Sequence, residues 1–390
     1  MPATWRVGIV KDTSEPMLGL HGLHVAFRGL PGVDVVAHVD SNTDDLERKM
    51  AVTGARRHYA TLQDMLDAGP PDIVVLCSRH PSDHLPQIEA AAAAGCHVYC
   101  EKPLAADLLE ADRIVDLADR SGIRICMAHP GRYALAFRTM KAMLERGEIG
   151  RPLSVHGRGK CDHRGGGEDL IVLGTHILDL QVFFFGPPEY VYADITTEGR
   201  PIAATDRAET VEPIGPAAGD SIFAHFRFGG DVRGSFESRR DLFDRADGST
   251  HMGITIVGTE GALSMRFDDA TTRIPRISRE GGPLQFGACF EDIPLAEDRA
   301  IAGAEPLDYS LCGTEDIPRA RYFLEANRFA AWDLVRAIEE DRRPVSSVHD
   351  ARLTQEMIEG IYAAHLSGGR VRFPLEDRAH PLGESRGRNS

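Results

Sequence analysis

One acidic residue stands where a buried strand would deliver it to a bound nucleotide. Asp40 ends the apolar run VDVVAHVD and is followed by Ser41 and Asn42. A carboxylate at the end of a second strand can accept hydrogen bonds from both hydroxyls of an adenosine ribose, whereas it repels a 2′-phosphate. Because no arginine or lysine directly follows Asp40, the position predicts NAD as cofactor, with NADP less favoured. The simpler alternative is an acid that only caps a helix or closes a loop.

The segment after the first strand-like run lacks the glycine pattern that usually binds a dinucleotide. Such a strand normally continues into GxGxxG, whose glycines let the pyrophosphate approach the backbone. Here it continues as VGIVKDTSEPMLGLHGLHVAF, with Lys11 in place of the first glycine. Gly19 and Gly22 still permit a close approach, and Lys11 can meet a phosphate as a point charge.

Several short motifs follow one another along the chain. CEKPLAAD comes after an apolar run, and GTHILDL, GTEG and RVRFPL come later. With these motifs the chain resembles the Gfo/Idh/MocA oxidoreductase family, named after glucose–fructose oxidoreductase and inositol dehydrogenase. EKP alone is a weak signal, but EKP followed by GTHILDL is specific. The matching residues are His84, Gly95, His97, Val98, Glu101, Lys102, Pro103, Arg132, Tyr133, Gly147, Glu148, Ile149, Gly150, Gly174, Thr175, His176, Asp179, Gly258, Thr259, Glu260 and Gly261.

This resemblance implies a fold and an activity. The fold is α/β, with an N-terminal Rossmann domain (residues 1–128) that binds NAD or NADP. A C-terminal α/β domain (residues 129–390) with a large, open, mostly antiparallel sheet is expected to bind substrate and to form oligomers. Family members commonly oxidise a hydroxyl of a sugar, inositol or related polyol, so the resemblance implies a small-molecule substrate of this class and a homodimer or homotetramer.

The resemblance also implies the catalytic residues. Lys102 corresponds to the family lysine beside the nicotinamide, and His176 corresponds to the catalytic histidine. Hydride leaves a carbinol carbon only as its hydroxyl proton departs, so a base must contact that oxygen. An imidazole titrates in the useful range, and an ammonium group can stabilise a developing alkoxide.

The remaining site predictions follow from the strand ends and from the resemblance. Residues expected to contact the cofactor are Lys11, Asp40, Ser41, Ser78, His84, Glu101 and Lys102. Residues expected to contact the substrate are Arg132, Lys160, Thr175, His176 and Asp179.

The chain departs from the family pattern around the expected catalytic centre. The family usually places an aspartate four residues before the histidine, and this chain has Val172 there. Asp179, one turn after His176, could orient the ring instead, while Asp169 is expected to cap a helix. An amide side chain common in the family is replaced by Pro130.

These departures keep two other functions open. One is a redox-neutral enzyme, in which bound NAD oxidises and then re-reduces a glycoside to permit its cleavage. The other is a catalytically silent sugar sensor or regulatory subunit. Val172, Pro130 and the altered glycine loop favour the silent protein, whereas Lys102 and His176 favour an enzyme.

Alternating strand and helix patterns must position the nucleotide-binding residues. Regular alternation over the first 128 residues predicts a parallel, doubly wound sheet. Glycines at 54, 95 and 122 stand where helices should end. The predicted strands are Trp5–Val10, Val33–Val39, Asp72–Ser78, Cys96–Cys100 and Ile123–Ala128.

The pattern changes after Gly150. Strands separated by tight, glycine-rich joints predict an antiparallel sheet, and one helix is expected around Leu170–Phe185. The predicted strands are Leu153–Arg158, Ser221–Phe228, Val232–Ser238, Met252–Val257 and Ala262–Phe267, and the last two predicted helices are Ala326–Glu340 and Ala351–Ser367.

Composition narrows the class of protein. A length of 390 residues favours two hydrophobic cores, and a net charge of −15 disfavours nucleic acid and anionic membranes as partners. The absence of a leader-like N-terminus and of long apolar runs predicts a cytoplasmic protein without a membrane span. The seven cysteines are expected to be reduced. No metal site is predicted, because neighbours such as Cys96 and His97 point to opposite faces of a strand; Cys161 and His163, beside Asp162, are left as the one alternative pair of ligands.

Overall fold

The computed structural model describes most of the chain, and the predicted loop glycine Gly19 lies outside the described residues. The described residues are 4–14, 22–208, 210, 212, 214–242, 251–267, 274–279, 289–295, 300–312 and 318–383. They form two compact units, each assembled from separate stretches of chain. The first unit draws on Met1–Ala106, Glu110–Ala134 and Asp298–Arg352, and the second on Asp107–Leu109, Leu135–Glu297 and Leu353–Ser390.

The first unit contains a parallel sheet in the order β3-β2-β1-β4-β5-β6. This order confirms the predicted doubly wound Rossmann sheet. It reverses direction between β1 and β4, and ligands of open α/β sheets bind at the carboxyl ends of the strands at such a point. The strands are β1 (Trp5–Val10), β2 (Val33–Val39), β3 (Arg57–Tyr59), β4 (Ile73–Leu76), β5 (His97–Cys100) and β6 (Ile125–Met127).

Local sequence signals end and begin the helices. Gly54 ends the first helix in the left-handed region with φ 80°, and Thr61 begins the second with a capping box in which Asp64 is the partner. In the part of the chain that the structure describes, no helix is long and apolar enough to cross a bilayer. The helices are α1 (Leu46–Thr53), α2 (Leu62–Ala68), α3 (Pro81–Ala93), α4 (Leu108–Ser121), α5 (Leu135–Glu145), α6 (Gly167–Val172), α7 (Gly174–Phe185), α8 (Pro318–Glu339) and α9 (Val348–Ser367).

Helix α8 belongs to the same unit as the parallel sheet, although it lies far along the chain. The Tyr99 hydroxyl on β5 donates to Asn327 Oδ1 at 2.9 Å, and the Tyr133 hydroxyl donates to Asp333 Oδ2 at 2.9 Å. Apolar side chains of α8, including Leu334, share one core with β1 and β4. Helix α8 therefore covers one face of this sheet.

The second unit is built on a larger sheet in the order β15-β14-β13-β12-β7-β11-β10-β8-β16, with β9 paired to β8. All of these neighbours are antiparallel except β7 and β11, which confirms the prediction of a mostly antiparallel sheet. The strands are β7 (Pro152–Arg158), β8 (Pro188–Thr197), β9 (Arg200–Pro201), β10 (Ser221–Phe228), β11 (Arg233–Arg239), β12 (Gly253–Gly258), β13 (Ala262–Arg266), β14 (Arg276–Ser278), β15 (Glu291–Asp292) and β16 (Val371–Arg372).

The single helix predicted around Leu170–Phe185 is wrong, because the structure divides it into α6 and α7. The break falls at Leu173, which has φ −118°. Gly174 follows, and a side chain there would collide with the Phe236 ring, since an added Cβ would lie 2.8 Å from Phe236 Cζ. Close packing against β11 therefore fixes where α7 begins.

Candidate functional site

The carboxyl edge of the parallel sheet gathers several of the predicted cofactor residues. Lys11 follows β1, and its backbone N–H donates to Val39 O at 3.0 Å. Glu101 and Lys102 follow β5, and both are buried. Burial raises the pKa of the Cys77 thiol to about 12, while the charge of Lys11 lowers it and that of Glu101 raises it. Because Cys77 directly follows β4, these charges meet at the point where the strand order reverses.

Lys102 is held in a buried turn. Its backbone N–H donates to Glu101 Oε2 at 2.9 Å, and the Glu101 N–H donates to Leu76 O at 3.0 Å. The Glu101 carboxylate therefore fixes the local geometry of the EKP segment. This accounts for the acid that precedes the lysine in the motif.

His84 joins two loops at the same edge. Its ring is fully buried, with Nδ1 3.1 Å from Leu104 O and Nε2 2.9 Å from Ser78 O. The Ser78 hydroxyl donates to Asp83 Oδ2 at 2.5 Å. The ring thus ties the loop after β4 to the loop after β5, and contact of Ser78 or His84 with a cofactor stays a prediction.

Asp40 is fully buried at the end of β2, and the chain itself supplies donors to both carboxylate oxygens. Thr13 N and Asn42 N each lie 2.9 Å from Oδ1. The Thr13 hydroxyl lies 2.8 Å from Oδ2, and Lys49 Nζ lies 2.9 Å from the same oxygen. Burial alone would raise the pKa of Asp40, but these hydrogen bonds outweigh it and lower the pKa.

Lys49 is a functional candidate that reasoning from the sequence missed. It lies on α1, is 20% exposed, and also donates to the Thr13 hydroxyl at 2.7 Å and to Asn42 O at 2.8 Å. No lysine or arginine directly follows Asp40, but Lys49 on helix α1 places an ammonium group beside its carboxylate. Ser41 points elsewhere, because its hydroxyl donates to Asp12 Oδ1 at 2.9 Å.

Two buried histidines beside this edge are neutral. Burial lowers the pKa of His24 to about 3, and the charge of Lys11 lowers it further. Burial also lowers the pKa of His38 to about 4, although Asp40, whose Oδ2 lies 3.7 Å from Nε2, opposes the shift. Both rings are therefore uncharged at neutral pH, and the positive charges of Lys11 and Lys49 also lower the pKa of His38.

Arg132 has a structural role within the first unit. It is buried, its Nη1 donates to Val345 O at 3.0 Å, and the same nitrogen lies 3.3 Å from Asp350 Oδ2. Pro130 opens the short 3-10 turn Pro130–Arg132. Substrate contact by Arg132 stays a prediction.

The expected catalytic histidine lies on α7 in the second unit. Thr175, His176 and Asp179 are all buried on this helix. His176 and Asp179 are one helical turn apart, so their side chains project from one face. Val172, at the end of α6, is also buried. The structure thus brings the histidine, a carboxylate and the valine to neighbouring turns.

The expectation that Asp169 caps a helix is wrong. Gly166 precedes α6, and no side chain caps it. The Asp169 carboxylate instead crosses to the ends of two strands, where Oδ2 accepts from Lys160 N and from the Ser238 hydroxyl, each at 2.7 Å. No signal in the sequence pairs these positions, because their contact depends on the register of β7 and β11.

Lys160 and Asp169 are both almost completely buried, with exposed fractions of 4% and 1%. Burial lowers the pKa of Lys160 to about 8, and the nearby Asp169 opposes this. Burial raises the pKa of Asp169 to about 6, and Lys160 opposes this in turn. Each group can therefore change its protonation state near neutral pH.

Cysteine and histidine side chains show no metal-binding arrangement in the described ranges. There, no group of three or more His, Cys, Asp or Glu side chains could hold a metal ion. The Cys96 thiol faces Pro71 O at 3.0 Å, and His97 Nδ1 accepts from Arg124 N at 2.8 Å. The six cysteines whose side chains the structure describes are free thiols.

Comparison with known proteins matches both parts of the chain to one family. Residues 19–129 match the model described as "Oxidoreductase family, NAD-binding Rossmann fold", and residues 137–264 match the "GFO/IDH/MocA C-terminal domain". A D-apiose dehydrogenase from Paraburkholderia graminis is 31% identical over 47% of this chain and 51% of its own length. An inositol 2-dehydrogenase from Saccharopolyspora erythraea is 32% identical over 41% of this chain and 45% of its own.

The matches to solved structures extend over nearly the whole chain and show the fold. An NAD-binding oxidoreductase from Klebsiella pneumoniae has a TM-score of 0.73 at 22% identity, covering 95% of this chain and 99% of that one. A levoglucosan dehydrogenase in complex with NADH and levoglucosan has a TM-score of 0.72 at 18% identity, covering 95% and 100%. The aligned part of this chain spans about half the length of the curated relatives. On the two family matches and the confirmed fold, the chain belongs to the Gfo/Idh/MocA family of NAD-binding oxidoreductases.

Proposed function

We propose that this protein is an NAD-dependent oxidoreductase that acts on a secondary hydroxyl of a sugar, inositol or related polyol. The observation that carries the proposal is the buried Glu101–Lys102 turn at the carboxyl edge of the parallel sheet. The names of the relatives, which include inositol and D-apiose dehydrogenases, support the substrate class. The domain assignment, with NAD bound by residues 1–128 and substrate bound by 129–390, stays a prediction.

The chain offers groups that fit the parts of a dinucleotide. Asp40 supplies acceptor oxygens for a ribose diol, which would replace the Thr13 hydroxyl on Oδ2. Lys11 supplies a cation for a phosphate, and the Glu101–Lys102 turn lies at the edge where the nicotinamide half belongs. When bound, NAD supplies the acceptor for a hydride. Lys102 would stabilise the alkoxide oxygen, and His176 would take the hydroxyl proton.

Cofactor choice follows from the two charges at the end of β2. Asp40 opposes a 2′-phosphate, and NAD is therefore the proposed cofactor. Lys49 partly compensates that carboxylate, so the preference should be moderate rather than absolute. Dissociation constants for NAD and NADP, measured by calorimetry, test the proposal. Equal or tighter binding of NADP would remove Asp40 from the role of selecting the cofactor.

The experiment that tests the function has two stages. Purified protein is denatured and the supernatant is examined for released nicotinamide. Native protein with added NAD is then screened for NADH absorbance with myo-inositol, scyllo-inositol, D-apiose and levoglucosan. We expect turnover with at least one compound of this class, and its loss in Lys102→Met and His176→Gln. Turnover that survives both substitutions would contradict the catalytic roles.

A silent sugar-sensing protein is the second candidate, and the buried Val172 favours it. A valine can neither orient the imidazole nor bind a hydroxyl. Such a protein would bind polyols and NAD without producing NADH. A redox-neutral, glycoside-cleaving enzyme would also accumulate no NADH, but it would release the aglycone of a glycoside substrate, so product analysis separates the two.

The proposed assembly is a homodimer or homotetramer in the cytoplasm. Tyr192 and Phe223 are 46% and 52% exposed on the open face of the large sheet. Exposed aromatic side chains on a sheet face are typical of an interface between subunits. Light scattering from purified protein measures the assembly, and a monomer at all concentrations would contradict it.

A further inference from the structure

We propose that Lys160 and Asp169 form a polar subsite in the second unit that binds a substrate hydroxyl other than the one that is oxidised. The sequence predicts a substrate contact for Lys160, and the new element is its pairing with Asp169 around one hydroxyl. The inference rests on the proposed polyol oxidation and adds a substrate requirement, namely a second hydroxyl group near the reacting carbon.

The pair lies in a place that the fold keeps open for it. Gly159, directly after β7, has no side chain, and an added Cβ would lie 2.0 Å from Asp169 Oδ2. The carboxylate can therefore reach the strand end only because this residue is glycine. Ser238 at the end of β11 and the backbone of Lys160 then fix Oδ2 with two hydrogen bonds of 2.7 Å.

The fixed carboxylate has one oxygen left over. Asp169 Oδ1 is completely enclosed and has no hydrogen-bond partner among the residues that the structure describes. No hydrogen bond or ion pair joins Lys160 Nζ to another described side chain either, although Lys160 as a residue is only 4% exposed. Burying an acceptor and a cation without partners is costly, and native proteins keep such groups chiefly at functional sites.

The two incomplete groups are complementary to a hydroxyl. A hydroxyl can donate its proton to Asp169 Oδ1 and accept a hydrogen bond from Lys160 Nζ. A carboxylate or phosphate ligand would satisfy only the lysine, and an ammonium ligand only the aspartate. A neutral ligand rich in hydroxyl groups therefore fits this pair, in agreement with the proposed substrate class.

The surrounding charges keep the pair ionised near neutral pH. Burial lowers the pKa of Lys160, Arg164 lowers it further, and Asp169, Asp162 and Glu212 raise it, so that it stays at about 8. Burial raises the pKa of Asp169, and Lys160 limits the rise to about 6. Between these two values the pair presents a cation and an anion to a ligand.

The subsite adjoins the turn that carries the expected catalytic histidine. The Phe236 ring packs against both Gly159 and Gly174, because Cβ atoms added there would lie 3.1 and 2.8 Å from its Cζ. Leu173 N donates to Asp169 O, and His176 N donates to Leu173 O, each at 2.9 Å. Two successive backbone hydrogen bonds thus connect Asp169 to His176, and Asp169 supplies a carboxylate one turn before Val172.

The test uses isosteric variants of the holoenzyme. Asp169→Asn and Lys160→Met each leave one buried charge, so a loss of stability is expected in both. The double variant carries neither charge and should recover melting temperature relative to the single variants. Glu359→Gln is the matched control, because Glu359 is a buried carboxylate of the same unit that accepts a hydrogen bond from Gln355 Nε2 at 3.1 Å and is not among the charges that act on Lys160 or Asp169.

The readouts are the dissociation constants of NADH and of each polyol, measured by calorimetry on NADH-loaded protein, together with kcat and KM. We expect the double variant to bind its best polyol at least tenfold more weakly, with unchanged affinity for NADH. A monodeoxy analogue that lacks the bound hydroxyl should lose affinity for the wild type but not for the double variant. Glu359→Gln should keep wild-type polyol affinity.

The outcomes separate this inference from the proposed function. If the double variant recovers both stability and polyol affinity, the pair is structural and the subsite is refuted, whether or not the wild type is an oxidoreductase. If the wild type binds polyols through the pair but produces no NADH, the oxidation is refuted and the subsite stands. A wild type that binds none of the four compounds contradicts both.

Discussion

Replacing Lys49 with methionine tests the charge balance around Asp40. The substitution keeps most of the side-chain length and removes the ammonium group that lies 2.9 Å from Asp40 Oδ2. Asp40 would remain buried, with Thr13 and Asn42 as its donors. The predicted result is a less stable first unit and a stronger preference for NAD over NADP.

The distance gives the scale of the effect. Two unit charges 2.9 Å apart attract by about 1.4 kcal/mol at the dielectric constant of water and by about 6 kcal/mol at an effective value of 20. Lys49 is 20% exposed, so solvent screening and lost side-chain freedom reduce the upper figure. A hydrogen bond to a charged group typically contributes about 1.5–3 kcal/mol. We therefore expect a loss of about 2 kcal/mol.

The lowered pKa of Asp40 determines how the stability effect of Lys49→Met changes with pH. The pKa of Asp40 is lowered in the folded protein, so its contribution to stability is present above the unfolded value and is lost as pH falls through the folded value. Removing Lys49 raises that pKa. The difference between wild type and variant should thus be largest at neutral pH and should shrink once both carboxyls are protonated.

Urea unfolding of the wild type, Lys49→Met, Asp40→Asn and the double variant, at pH 7 and at acid pH, measures this coupling. Calorimetry with NAD and NADP on the same four proteins gives the cofactor preference, which we expect to shift about tenfold toward NAD in Lys49→Met. A coupling energy near zero at neutral pH, or a stability loss independent of pH, would refute the reasoning.

Three other substitutions have defined outcomes. Gly159→Ala should destabilise the second unit by about 2 kcal/mol or more, because the new Cβ would lie 2.0 Å from Asp169 Oδ2. Gly229→Ala is the control in the same melting experiment, because a Cβ added there would have no atom within 4 Å. Glu359→Gln should stabilise the protein at alkaline pH, because burial raises the pKa of Glu359 to about 8. The wild type therefore loses stability as pH rises from about 4.5 to about 8, and the variant should not. Parallel curves of unfolding free energy against pH for the two proteins would contradict this. Asp179→Asn should lower kcat without lowering the melting temperature if the carboxylate orients His176, and normal turnover at a normal melting temperature would exclude that role.

Much of the fold was predictable from local patterns. The strands of the parallel sheet are short, largely apolar runs, so β1, β2, β4, β5 and β6 were predicted to within about two residues. Strand β3 was missed because Arg57–Tyr59 is a three-residue edge strand without an apolar signature. The break between α6 and α7 was missed because it depends on the contact of Gly174 with Phe236.

The candidate site residues also divide into those that were predictable from the sequence and those that were not. Asp40 could be named because it lies directly after a strand, and Glu101 and Lys102 could be named because they match the EKP motif of the family. Lys49 and Asp169 could not be named in this way. Each lies on a helix and contacts residues at strand ends that are distant in sequence, so the contact exists only once the sheet has formed. The local periodicity of the sequence contains no information about such contacts between a helix and distant strand ends.

The late position of α8 has a consequence for the synthesis of the protein. This helix covers one face of the parallel sheet, yet it leaves the ribosome only after strands β7 to β15 have been translated. At about 5–20 residues per second, the nascent sheet waits roughly ten seconds or more with apolar side chains such as Val75 and Tyr99 lacking their final cover. The nascent chain should accordingly bind chaperones that recognise exposed apolar strands, and a fragment that ends after β6 should aggregate when expressed alone.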